Sequence, residues 1–271
     1  MHTPLAVILA RGLGTRMRRE DGTAALGDDQ ARVAATGVKA MIPIGRPFLD
    51  YILSGLADAG LREVCLVIGP EHDAVREYYG GASAPTRGRV EFAVQEQPLG
   101  TADAVAAAAD VVGSRDFLVL NSDNYYPVEA YRALAALGGP GLVAFERDAM
   151  IRDSNVPADR VRQFAVVRIG ADGAMLDVIE KPDEETLASF GGEVYLSMNC
   201  WRFDHSVLEA CRRVPLSPRG ERELTDAVRL ARREAGTAFR VVRMAAGVLD
   251  LSSRGDIAGV AGRLSGVEVR L

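Results

Sequence analysis

Short apolar runs, each closed by glycine or polar residues, alternate with helix-length stretches along the first half of the chain. Leu5–Leu9 is a continuous apolar run feeding a glycine-rich turn, which predicts a strand buried on both faces and entering a loop. Phe48–Ala59 carries apolar residues at helical spacing and stops at Gly60. Glu63–Ile68 predicts a second buried strand, followed by a helix over Glu71–Tyr79. Val90–Gln95, Phe117–Asn121 and Gly141–Glu146 predict further strands, with helices over Ala102–Ala109 and Val128–Leu137 between them. Strict alternation of strand and helix implies a parallel sheet with right-handed crossovers and helices on both faces.

After Glu146 the pattern changes. Phe164–Ile169, a turn at Ala171–Gly173 and Met175–Glu180 predict a hairpin, and Tyr195–Phe203 another strand. Helices are expected over His205–Arg213 and Leu224–Arg233, a strand over Phe239–Arg243, and a last helix over Ser253–Gly262. The fold class is therefore α/β: a Rossmann-like three-layer sandwich with a mixed, mainly parallel sheet and a small β-containing second lobe.

Composition narrows the setting. Apolar residues make up 48% and charged residues 25% of 271, so the core needs no disulfide or metal to hold it. Cys65, Cys200 and Cys211 are an odd number without framework spacing, which fits reduced thiols in a cytoplasmic protein. Cys200, His205 and Cys211 lack a fourth ligand and a paired Cys-x-x-Cys, so packing accounts for them better than zinc. Leu5–Ala10 is too short to span a membrane and lacks the flanks of a signal peptide. A net charge of −5 with no long basic block argues against a nucleic-acid partner.

Two features carry candidate chemistry. Of 32 basic residues only Lys39 and Lys181 are lysine, and a compact ammonium is not interchangeable with the planar arginine fork in a tight site. The turn after the first strand, Leu9-Ala10-Arg11-Gly12-Leu13-Gly14-Thr15-Arg16-Met17, has two glycines that admit phosphate oxygens to backbone N–H groups, and Arg16 can pair with them. It is no Walker loop, lacking Gly-Lys-Ser/Thr, and no dinucleotide fingerprint, since Met17 stands at the third glycine position. In open parallel sheets ligands sit beyond the carboxyl ends of the strands, which here are Ala10–Met17, Gln95–Thr101, Ser122–Pro127 and Lys181–Pro182.

In order along the chain stand that loop, Lys39-Ala40-Met41-Ile42-Pro43-Ile44, Gln95-Glu96-Gln97-Pro98-Leu99-Gly100-Thr101-Ala102, Asn121-Ser122-Asp123-Asn124, Glu180-Lys181-Pro182 and Glu223-Leu224-Thr225-Asp226-Ala227. Together they resemble the sugar-phosphate nucleotidyltransferases, including the glucose-1-phosphate thymidylyl- and uridylyltransferases and the N-acetylglucosamine-1-phosphate uridylyltransferase domain. The resemblance implies an enzyme that joins a nucleoside triphosphate to a sugar 1-phosphate with Mg2+, releasing pyrophosphate. It implies a triphosphate site at Leu9, Ala10, Arg11, Gly12, Gly14 and Thr15, with Arg16 and Lys39 neutralising charge. Gln95, Gly100 and Thr101 would meet the base. Lys181 would hold the sugar phosphate, with Glu180 and Asn199 near the sugar hydroxyls. Asp123 and Asp250 would bind the metal.

The same resemblance implies one domain over residues 1–271, with a nucleotide-binding half to 150, a sugar-phosphate half beyond it, and no C-terminal β-helix domain. A homo-oligomer stays open. A relative acting on a non-sugar phosphate such as phosphocholine, or an inactive nucleotide- or sugar-sensing homologue, would share much of the pattern. Departures are local. Arg11 stands where a small residue is usual, and it could clamp the nucleotide or point into solvent. Ala40 replaces a proline, and Ser252 and Ser253 replace the usual glycine and threonine after Asp250. Thr225 reads as a helix N-cap. The long segment from Met17 to Lys39 predicts a flexible stretch, then a short helix begun by Asp28 and Asp29 and stopped by Gly37, with a lid as the functional expectation.

Overall fold

The computed structural model describes residues 3–271. In chain order the elements of the first half are β1 (Leu5–Leu9), α1 (Thr15–Arg18), α2 (Asp28–Thr36), β2 (Pro43–Ile44), β3 (Arg46–Pro47), α3 (Phe48–Asp58), β4 (Glu63–Ile68), α4 (Asp73–Gly80), β5 (Arg89–Val94), α5 (Thr101–Ala107), α6 (Ala109–Val112), β6 (Phe117–Asn121), β7 (Asn124–Tyr125), α7 (Val128–Ala136) and β8 (Gly141–Glu146). Next come α8 (Arg147–Asp153), α9 (Ala158–Val161), β9 (Ala165–Ile169), β10 (Met175–Ile179), α10 (Glu184–Ala188) and β11 (Tyr195–Phe203). The chain closes with α11 (Ser206–Arg213), α12 (Leu224–Ala235), β12 (Arg240–Met244), β13 (Leu249–Asp250) and α13 (Asp256–Leu264).

Among the described residues, nine strands form one mixed sheet. Its main path runs β10-β9-β11-β6-β1-β4-β5, with β8 and β12 attached beside β11. β1 pairs in parallel with β4 and β6, and β4 with β5. The parallel run stops there. β11 enters between β6 and β8 and is antiparallel to both, so β8 does not continue the parallel order that the first half implied. β9 and β10 extend the same sheet as the expected hairpin, and β12 runs parallel to β8.

The sheet is buried on both faces, as an α/β sandwich requires. Side chains along β1 alternate between two apolar clusters. Ala6 and Ile8 face the one built with α3, α7 and α13, while Leu5, Val7 and Leu9 face the one built with α5, α11 and α12. α12 shows why such a segment is helical. Leu224, Ala227, Val228 and Ala231 form its buried face at i, i+3, i+4 and i+7, and Gly236 ends it in the left-handed region. Thr225 does not cap this helix. Glu223 holds the N-cap position, and Thr225 is buried inside the first turn. The three cysteines are buried and unpaired, and burial pushes the Cys65 and Cys211 thiols up to about 12. Among the described residues, no helix is long and apolar enough to cross a membrane.

Candidate active site

Four chain segments converge at the carboxyl ends of β1, β5 and β6. The turn after β1 begins where Ala10 donates its N–H to Val67 O (2.8 Å). Gly14 then adopts a left-handed conformation (φ 60°) and packs face to face against Gly37, also left-handed (φ 76°), at the end of α2. A Cβ on Gly14 would meet Gly37 O at 2.3 Å, so this backbone approach requires glycine. Gly37 O in turn accepts the Lys39 N–H at 3.0 Å. The expected helix and stop are thus present in the long segment. Its helical end is fixed against the glycine-rich turn, and Arg254 ties the other end through Met17 O (3.0 Å).

These elements surround a cavity of about 460 Å3. It is lined by Leu9, Ala10, Arg11, Gly12, Gly14, Thr15, Arg16, Lys39, Gln95, Gly100, Thr101 and Asp123, all of them singled out in the sequence. Arg219 and Glu221, from the loop before α12, close another wall and were not anticipated. Lys39 Nζ donates to Asp123 Oδ2 at 2.8 Å, with both side chains only partly exposed. Of the alternatives for Arg11, the structure excludes pointing into solvent, since its side chain is buried. Its guanidinium is gripped by Glu71 at 3.3 Å through Nε and Nη2 and donates from Nη1 to Gln95 O, so it braces the cavity wall.

Asp250 does not line the cavity, yet it sits beside Asp123. β7 and β13 pair antiparallel with Asp250 opposite Asn124, and Leu251 N–H donates to Asp123 O at 2.8 Å. The Asp250 carboxylate accepts from Asn124 Nδ2 (3.0 Å), Ser252 Oγ (2.7 Å) and the Arg160 guanidinium. Arg160 also donates to Asp256 Oδ1 at 2.7 Å, and Asp256 is held by Ser253 Oγ at 2.9 Å. Ser252 and Ser253 therefore build a network that anchors an arginine on the carboxylate. Burial, then repulsion from Asp123, raise the Asp250 pKa, against the opposing pull of Ser252, Arg160 and Lys39.

Glu180, Lys181 and Asn199 lie outside the cavity lining. Lys181 (φ 43°) and Asn199 (φ 53°) are the non-glycine residues with positive φ among the described residues. Asparagine tolerates this region, whereas lysine there carries strain, and strained residues concentrate at functional sites. Asn199 sits where β11 shifts register against β8, and its Oδ1 accepts from Trp201 Nε1 at 3.3 Å. Glu180 is exposed as a residue, with protein crowding its carboxyl group. That desolvation raises its pKa, Thr225 beside it lowers it, and Glu223 raises it further. The Arg219 charge also acts on Glu180, so Arg219 connects this region with the cavity wall.

The class of protein that this fold and cavity define agrees with comparison to known proteins. Residues 27–250 match the family model described as nucleotidyl transferase, and the chain belongs to that family. The match begins within the segment between the glycine-rich turn and Lys39. The chain is 30% identical over 225 residues to the bifunctional protein GlmU of Methanococcus vannielii, covering 83% of this chain and 46% of that one. It is also 30% identical over 232 residues to a glucose-1-phosphate thymidylyltransferase of Streptomyces griseus, covering 82% and 56%. It thus spans about half the length of the curated relatives it matches. Its fold is shared with UTP-bound UGPase from Acinetobacter baumannii, with TM-score 0.75, 18% identity and coverage of 99% and 96%. A UDP-glucose pyrophosphorylase complexed with UDP-glucose has TM-score 0.74, 16% identity and coverage of 98% and 100%.

Proposed function

We propose that this chain condenses a nucleoside triphosphate with a sugar 1-phosphate to give an NDP-sugar and pyrophosphate. The observation that carries the reading is the cavity itself. A glycine-rich turn, a Lys39–Asp123 pair and the Gln95 amide share one space of nucleotide size. The base is placed against Gln95, Gly100 and Thr101, and the triphosphate along Ala10–Arg16 toward Lys39. Gln95 offers a free acceptor oxygen, which suits the ring N–H of uracil or thymine.

The acceptor phosphate is anionic at neutral pH and needs no general base. Its oxygen attacks the α-phosphorus. The bond from that phosphorus to the bridging oxygen breaks, and the electron pair leaves with pyrophosphate. The residues have to hold two anions in line and offset their repulsion. Arg16 and Lys39 do so for the triphosphate, Lys181 for the sugar phosphate, while Glu180 and Asn199 orient the sugar.

The donor set fits magnesium. Asp123 presents a hard carboxylate oxygen to the cavity, and a small octahedral ion needs only one or two such ligands; Asp250, buried beside it, would join by giving up part of its pairing with Arg160. Asp123 Oδ1 has no hydrogen-bond partner among the described residues, and Asp250, whose pKa is raised by burial and then by the charge of Asp123, is a neighbour that a cation would stabilise as a carboxylate. When bound, magnesium would neutralise phosphate oxygens and fix their orientation.

The test is pyrophosphate release by purified protein with magnesium, five nucleoside triphosphates and a panel of sugar 1-phosphates plus phosphocholine. Release is expected only when a triphosphate and a sugar 1-phosphate are both present. Equal release from the triphosphate alone would mean hydrolysis. Release only with phosphocholine, or nucleotide binding without turnover, would replace the sugar reading.

A further inference from the structure

Gln95 is 2% exposed, and its side chain is held in one orientation. Its Nε2 donates to Gly100 O at 3.1 Å and to Asp103 Oδ2 at 2.9 Å. Both amide protons are thereby committed to acceptors. Oε1 has no hydrogen-bond partner among the described residues and is not sealed away from the cavity that Gln95 lines. A primary amide without such anchors can turn over and present either a donor or an acceptor. Here the turned form would set Oε1 against a carbonyl and a carboxylate while leaving two half-buried acceptors without their donor, which is disfavoured.

Asp103 is itself fixed from the other half of the chain. Arg222 Nη1 donates to Asp103 Oδ1 at 3.3 Å, and the two side chains are 34% and 20% exposed. The Arg222 backbone is stapled to the same turn: its N–H donates to Leu99 O at 2.6 Å, and its carbonyl accepts from Ala102 N–H at 2.9 Å. Gly100 (φ 106°) makes this approach possible, because a Cβ there would lie 2.6 Å from Arg222 O. Thr101 Oγ1 adds a bond from Leu224 N–H at 2.9 Å. The backbone end of Gln95 is held as well, by the Arg11 brace on its carbonyl.

We infer that Asp103, held by Arg222, is a positioning residue for base selection. It locks the Gln95 amide with its oxygen toward the cavity, so that the site takes a pyrimidine carrying a ring N3–H, uracil or thymine. Cytosine places a lone pair at the same edge, and two acceptors face one another. This rests on the reading that Gln95 faces the base, and it adds the residues that fix which face Gln95 shows.

The experiment compares UTP, dTTP and CTP, which are alike in size. Affinity is measured by calorimetry without acceptor, and kcat/KM with a sugar 1-phosphate. Wild type should prefer UTP or dTTP to CTP. Asp103→Leu frees the amide, and the preference should shrink on the order of tenfold, the scale of one charge-assisted hydrogen bond, chiefly through KM. CTP should gain in that variant. Asp103→Asn, which keeps a carbonyl acceptor in place, should restore most of the preference. Arg222→Met should weaken it in the same direction and serves as the test if Asp103→Leu does not fold.

A wild type that binds UTP and CTP equally, or a folded Asp103→Leu whose ratio stays within about twofold of wild type, would overturn the inference. A wild type that binds no nucleoside triphosphate would instead overturn the proposed function.

Discussion

Gly14→Ala isolates the contact on which the glycine-rich turn depends. Gly14 is left-handed, and an alanine held there costs about 1–2 kcal/mol. The new Cβ would also lie 2.3 Å from Gly37 O and 2.6 Å from Gly37 Cα, backbone atoms that cannot rotate away. Relief requires the two segments to part by about 1 Å, and overpacking of that kind costs roughly 1–3 kcal/mol. The sum is about 2–5 kcal/mol, which lowers the melting temperature by roughly 2–4 °C per kcal/mol in a chain of this size.

The displacement also has a direction. Gly37 O, the atom struck, accepts the Lys39 N–H, and Lys39 Nζ holds Asp123. Nucleotide affinity should therefore fall along with stability. Gly138→Ala is the matched control, since a Cβ at Gly138 has nothing within 4 Å, its φ is not in the left-handed range, and it lies away from the cavity. The measurements are thermal melts and nucleotide titrations of both variants. If Gly14→Ala melts and binds like Gly138→Ala, the close approach of the two glycines does not organise the site.

Three further outcomes are expected. Asp250→Asn should lower pyrophosphate release by orders of magnitude with little change in melting temperature: the carboxylate is already disfavoured by burial and by Asp123, and Arg160 keeps Asp256 as a partner. Activity near wild type would remove Asp250 from the metal site. Lys181→Arg should raise KM for the sugar 1-phosphate more than for the triphosphate, because a planar fork does not place its charge where a compact ammonium does; unchanged kinetics would remove Lys181 from the acceptor site. Stability should fall above pH 9. The folded Cys65 and Cys211 thiols, at about 12, keep their protons while unfolded thiols, near 9.0, lose theirs, removing roughly 1.4 kcal/mol per thiol for each pH unit between those values. Urea midpoints at pH 8 and pH 10 check this, and equal midpoints would contradict it.

The parts of the site that periodicity and turn chemistry could reach are local ones. β1 was legible as a strand buried on both sides because every residue in it is apolar, and the end of α2 because Gly37 follows a run without other helix breakers. The place of β11 was not. Nothing in its nine residues states that it pairs with β6, β8 and β9 at once and interrupts the parallel order. α8, α9 and α10 are too short to establish a helical period. Arg160, Glu71, Asp103 and Arg222 were missed for a related reason: each acts through a partner far along the chain, 90 residues away for Arg160 and Asp250, 119 for Arg222 and Asp103. The signals present were departures from pattern, Arg11 in place of a small residue and Ser252-Ser253 after Asp250. Each marks one end of an ion pair whose other end only the fold supplies.

Several of these long-range joins share a construction. Gly14 meets the Gly37 backbone, Gly100 meets the Arg222 backbone, Gly247 meets the Asp153 backbone, and β7 meets β13 through main-chain pairing. The first fixes Lys39 against the glycine-rich turn, the second fixes Asp103 against Gln95, and the last brings Asp250 to Asp123. The glycine contacts depend on the absence of a Cβ, and the strand pairing on main-chain hydrogen bonds, rather than on which side chains surround them. They hold the elements at one spacing while the side chains around them remain free to differ. The wall contributed by Arg219 and Glu221 is anchored the same way, since Ser217 and Glu221 close their own loop and Arg222 binds it to Leu99. On the proposed function, a site assembled so changes its substrate through Gln95, Asp103, Glu180 or Asn199 without disturbing the geometry that places Lys39 and Asp123.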